Sequence, residues 1–213
     1  MLLGEIIDQV HETVRRPDKT AVINQRILQA VRTMHAVAAF PRDRTEWVIG
    51  LADITFAANS VTVGTFTLPD DVRLLEQVAA LDVYGNIIGA PLDIINISEV
   101  VKRRTLYGPA VSTCYQINGG VSFYAGAQVN SFLVSGITHR PTKAVVSNTD
   151  GTMRAMTDPA IAGYSDWLLD SMPLAVIDQA LGFALASVGN QKLASTHLSV
   201  VQNQHIPELL MNA

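Results

Sequence analysis

Apolar residues first recur at the helical period: Leu3, Ile6, Ile7, Val10 and Val14 share one face of a 3.6-residue repeat, opposite Glu5, Asp8, Gln9 and Glu12. This predicts an amphipathic helix closed by Arg15 and Arg16, because cations favour a helix C-terminus. Pro17 breaks the run, and Asp18 is a natural N-cap for a second helix over Lys19 to Phe40. Its stripe is Ile23, Ile27, Ala30, Val31, Met34 and Val37 or Ala38, and Pro41 disfavours helical geometry at Phe40. So short a break predicts an antiparallel helix pair.

After Pro41 the period changes. β-prone runs at Trp47 to Ile49, Ile54 to Phe56 and Val61 to Leu68 predict strands, and Val72 to Tyr84 reads mostly as another. Tyr84, Gly85, Asn86 and Ile87 form a hairpin turn signal. Asn96 and Glu99 have capping-box spacing before a short helix to Arg104. A second β series follows at Tyr115 to Ile117, Val121 to Tyr124 and Val129 to Thr138, and Ser147 to Ala162 reads as a loop with a helical turn near Asp158. Pro173 then opens a helix striped by Leu174, Ile177, Leu181, Ala184, Leu185 and Val188. Gly189 and Asn190 end it, and a last helix from Gln191 carries Leu193, Ala194, His197, Leu198 and Val201 until Pro207 interrupts or ends it. The class expected is α+β, with N- and C-terminal helix pairs packed as a helical bundle and a β-rich domain inserted between them. The segments are 1–42, 43–165 and 166–213.

Composition narrows the role. The chain has 213 residues, enough to bury roughly 70% of its unfolded surface. Charged residues are only 16% and hydrophobic ones 48%, with a mean hydropathy of +0.24, so a large core or partner-covered apolar surface must take up the excess. A net charge of -4 and a pI of about 5.7 lack the footprint of a protein whose main task is gripping phosphate backbone. The single Cys114 forms no intramolecular disulfide, which fits cytoplasmic synthesis. Neither a signal peptide nor a membrane span is read from the pattern.

Catalytic signatures are weak. The Gly120 to Tyr124 run around Ser122 lacks the second glycine of a nucleophile elbow, and no phosphate-binding glycine loop or dinucleotide fingerprint appears. His11, His35, His139, His197 and His205 never pair at the spacing of a zinc helix. His197 and His205 lie two turns apart on one predicted helix, too far for shared ligation, and read as surface or rim residues. Asp70 and Asp71 follow Pro69 where aspartate is a common turn former, and Cys114 reads as a small buried hydrophobe. No catalytic, metal or cofactor residue is therefore assigned. Trp47 and Trp167, each beside a carboxylate, and the basic pair Arg103 and Arg104 are the candidates for subunit contacts.

Several positions together resemble the head-to-tail connector proteins of tailed bacteriophages, the adaptors beneath the portal ring. They are Ile6 to Phe40 with Arg16, Pro17 and Asp18 at the junction; Phe66, Leu68, Pro69, Asp70, Asp71, Val72 and Arg73; Pro91 and Leu92; Tyr115, Ile117, Asn118 and Gly119; and Trp167, Leu168, Pro173, Ile177, Ala180, Leu181, Gly189, Asn190 and Ala194. The resemblance is one of pattern over nearly the whole chain. It implies a non-enzymatic virion subunit of the neck, twelvefold in its ring, joining the portal protein to tail or neck proteins. It also implies a continued DNA channel without sequence-specific binding. The tail of such adaptors reaches the portal, which here would be His205, Ile206, Pro207, Leu209, Leu210 and Met211. The competing readings are another neck or tail ring component such as a tail terminator, and a cytoplasmic enzyme using Asp70, Asp71 or Cys114.

Overall fold

A computed structural model describes the chain except for residues 97–98, 100–111, 118–119, 126–127, 151 and 212–213. In chain order the helices are α1 (Leu3–Val14), α2 (Thr20–His35), α3 (Lys143–Val146), α4 (Pro159–Ala162), α5 (Trp167–Ser171), α6 (Pro173–Ser187), α7 (Gln191–Val200) and α8 (Ile206–Met211). The strands are β1 (Arg44–Gly50), β2 (Ile54–Phe56), β3 (Val63–Thr67), β4 (Val72–Leu81), β5 (Asp93–Ile94), β6 (Thr113–Ile117), β7 (Gly120–Tyr124) and β8 (Ser131–Thr138). Two compact units result, one from residues 1–43 with 139–213 and one from residues 44–138.

The class is mixed α/β, which corrects the expected helical bundle of two terminal pairs around one β-rich domain. Two findings overturn it. The strands form two sheets, of three and five strands. The helices are not paired end by end either: α1, α2 and α7 all pack on α6. The cause is the composition of α6, where Ala175, Val176, Ile177, Ala180, Leu181, Ala184 and Leu185 are all buried. A helix apolar nearly all round needs cover on every side. Of its predicted stripe, only Leu174 is exposed. Residues 139–165, read from sequence as part of the β-rich segment, belong to the first unit and carry α3 and α4.

The α1 face forms as the spacing predicts, with Leu3, Ile6, Ile7, Val10 and Val14 buried. Asp18 does not cap α2, because both its oxygens are taken by Arg16, at 2.9 Å from Nε and 2.8 Å from Nη2. The α2 helix stops at His35, short of the predicted Phe40. At the other end Pro207 does not stop the helix. A π turn over Val201–His205 widens the backbone ahead of it, with Ile206 N–H reaching the Val201 carbonyl, which accommodates the ring and missing donor of proline. Among the described residues no helix is long and apolar enough to cross a membrane.

In the second unit β1 and β4 flank β8 in an antiparallel sheet, Arg44 facing Ile137 and Val78 facing Val134. The other sheet runs β2-β3-β7-β6-β5, antiparallel except for the parallel β5 and β6 pair. Apolar residues of both sheets share one core, centred on Phe132, whose ring lies 5.1 Å from Phe66 and 4.6 Å from Phe123. The predicted turn after β4 is present. Gly85 takes φ 83°, and the Asp82 carboxylate accepts the Tyr84 and Asn86 N–H groups. Close strand approach explains Gly64, where a Cβ would lie 2.5 Å from the Thr55 carbonyl.

Candidate functional site

The most concentrated chemistry lies in the first unit, where α2 ends, the chain turns at 40–43 and α5 begins. His35 is the last residue of α2 and 1% exposed, and both its ring nitrogens meet carboxylates. Nδ1 lies 2.9 and 3.1 Å from the two oxygens of Asp43, and Nε2 lies 3.0 Å from Oδ2 of Asp166. A neutral imidazole has one N–H, so this geometry calls for the imidazolium. Burial opposes that charge, but the hydrogen bonds and charges of Asp166 and Asp43 outweigh it and raise the His35 pKa above its ordinary value. The position helps too, since a helix C-terminus favours a cation.

Each carboxylate is held from a second side. Asp166 is the N-cap of α5, its Oδ1 accepting the Leu168 and Leu169 N–H groups at 3.0 Å, and the Tyr164 hydroxyl donates to its Oδ2 at 2.6 Å. Burial pushes Asp166 up, yet His35, Tyr164 and the Leu169 N–H together hold its pKa below the ordinary carboxyl value. The Tyr164 hydroxyl is shifted strongly upward by burial and by Asp166, so it serves as a neutral donor. Trp167 donates its indole N–H to Oδ1 of Asp43 at 2.8 Å. Its ring stands edge-on to His35 at 5.5 Å and Phe40 at 5.1 Å, and the Arg42 guanidinium lies 5.6 Å over it. Chemically this is a closed ion cluster that fastens three stretches of chain.

A second cluster holds the C-terminal segment. His197 Nδ1 and His205 Nε2 take the two oxygens of Asp178 on α6, at 2.8 and 2.9 Å. The two imidazoles, read from sequence as too far apart to share a ligand, thus share one carboxylate. Among the described residues no group of three or more His, Cys, Asp or Glu is arranged to hold a metal ion. Asp178→Ala is expected to lower amide-exchange protection over residues 197–211 by on the order of tenfold, leaving α1 and α2 unchanged. Exchange mass spectrometry reads this.

The residues singled out from sequence are scattered. Trp47 packs on the sandwich core of the second unit and Trp167 on the helical core of the first. Arg103 and Arg104 lie outside the described residues. His205, Ile206, Pro207, Leu209, Leu210 and Met211 are helical or at a helix junction, with Leu209 buried and Leu210 and Met211 exposed. Asp70 and Asp71 sit in the turn from β3 to β4, closed by Val72 N–H on the Pro69 carbonyl. Cys114 is fully buried on β6, and burial, with a smaller push from Asp93, raises its thiol to about 12. A thiol, not a thiolate, is present near neutrality. It is expected to resist iodoacetamide in the native protein and to react once urea unfolds the second unit; fast native labelling would contradict this.

His35, Asp43, Tyr164 and Asp166 were not identified from sequence. The signal for His35 was its place four residues after Val31 on the buried stripe of α2. The chain matches no protein-family model and no curated protein sequence.

Proposed function

We propose that the chain is a structural adaptor of a tailed-phage neck, a ring subunit that joins portal to tail and continues the DNA channel. The observation that carries this reading is surface chemistry. In a chain with 16% charged residues, Val83, Tyr84 and Ile87 stand exposed at the turn after β4, and Tyr84 is 86% exposed. Val48, Leu51, Leu174, Leu193, Leu210 and Met211 add further exposed apolar side chains. Apolar residues gathered at one exposed turn are suited to cover by protein partners. The pattern resemblance along nearly the whole chain supplies the kind of partner. A net charge of -4 suits a channel past which DNA slides, because few Lys and Arg contacts hold it.

Sedimentation with the portal protein encoded in the same genome tests the reading. Co-migration in a fixed ratio is expected, and Tyr84→Asp is expected to weaken it without changing the circular dichroism spectrum. A chain that joins neither a portal nor a tail ring counts against the adaptor.

A further inference from the structure

We propose that the proton on His35 is a conformational latch: while it is present the end of α2, the 40–43 turn and the start of α5 are held together, and its removal opens this seam while the unit stays folded. The geometry carries the inference. Both ring nitrogens lie at 2.9 to 3.1 Å from carboxylate oxygens, and His35 and Asp43 are 1% and 0% exposed. A neutral imidazole donates one proton, so deprotonation turns one nitrogen lone pair toward a carboxylate oxygen about 3 Å away. The same step removes the cation between the buried Asp43 and the partly buried Asp166.

Neutral donors and two arginines also face the cluster. Tyr164 donates a neutral hydroxyl to Asp166, and Trp167 donates a neutral N–H to Asp43. The Arg42 guanidinium lies 5.6 Å over the Trp167 ring, and the Arg140 charge acts on Tyr164. The apolar core of α1, α2, α6 and α7 holds the rest of the first unit, and Phe40, Leu168 and Leu169 join it at the seam with Trp167 packed against it. Opening confined to the seam leaves the helices of that core packed and uncovers Trp167 and Phe40.

The direction follows from the raised His35 pKa: the latch is closed below the ordinary value of 6.5 and releases as pH rises through the higher folded value. The test uses the full chain with Trp47→Phe, so that Trp167 is the only indole, titrated from pH 6 upward. Three signals are followed: Trp167 emission, helical circular dichroism and the His35 ring resonances. A red shift of Trp167 with the His35 midpoint, above 6.5 and with helicity unchanged, is expected. His35→Gln should abolish the pH-dependent step. In the unaltered chain, exchange of the Leu168 and Leu169 amides, corrected for hydroxide catalysis, should quicken at least about tenfold across the same midpoint. The proposal is overturned if His35 deprotonates while Trp167 and these amides stay unchanged. Loss of helicity at the same pH, or the absence of any His35 titration before the unit unfolds, overturns it equally.

Discussion

His35→Ala is expected to destabilise the first unit by about 3–5 kcal/mol at pH 7, because it removes the imidazolium shared by the buried Asp43 and the partly buried Asp166. At roughly 2–4 °C per kcal/mol for a chain of this size, the melting temperature should fall by about 6–20 °C. Three considerations set the scale. Asp43 is fully buried, so water cannot replace the lost partner without the seam opening. Asp166 is a helix cap as well as an ion-pair partner, so the loss reaches α5. Trp167 is oriented by Asp43 and stands edge-on to Phe40, so its packing loosens with the cluster. Acid should act through the other partner. The folded pKa of Asp166 is lowered, so its contribution is present above the ordinary 3.8 and is lost as pH falls through the lower folded value. Stability should thus be greatest between these carboxyl and imidazole titrations. Urea unfolding of wild type and His35→Ala at pH 5, 7 and 9 measures this. A difference under about 1 kcal/mol at pH 7 would show that the cluster contributes no more than a surface pair.

Phe132→Ala should remove about 3–5 kcal/mol from the second unit. The ring is fully buried at the contact between the two sheets, against Phe66 and Phe123, and neither neighbour can close the space without leaving its own strand. Phe132 also lies on β8, the strand shared by both edges of the three-stranded sheet, so its loss weakens both pairings. Urea unfolding should show the mid-point displaced and the exposure of Cys114 to alkylation brought forward with it. An unchanged mid-point would mean that the two sheets do not share the core described.

Periodicity exposed some of this and hid the rest for physical reasons. The buried face of α1 and the stripe of α2 are local patterns and were legible. So was the turn at Asp82 to Ile87, whose residue types match its backbone geometry. Strand partners were not legible, since Arg44 finds Ile137 and no local signal spans that distance. The fold class failed at α6. Its spacing predicts a wide apolar stripe, whereas Ala175, Val176 and Ala180 make it apolar nearly all round and hence a hub. Cys114 and the Asp70, Asp71 pair read correctly as a buried hydrophobe and a turn, because burial and turn chemistry are carried by the residues themselves. The His35 cluster was hidden because its meaning resides in partners 8 and 131 residues away. A histidine on a buried stripe requires such partners, and that requirement is the one part of the cluster the sequence displays.

The adaptor reading is tested most directly by negative-stain images of portal particles mixed with this chain. The account predicts an added ring on the tail-facing side of the portal, on the portal axis, with the helical signal of the chain retained. Portals that stay bare at saturating chain, together with tail rings that also fail to bind it, would contradict it.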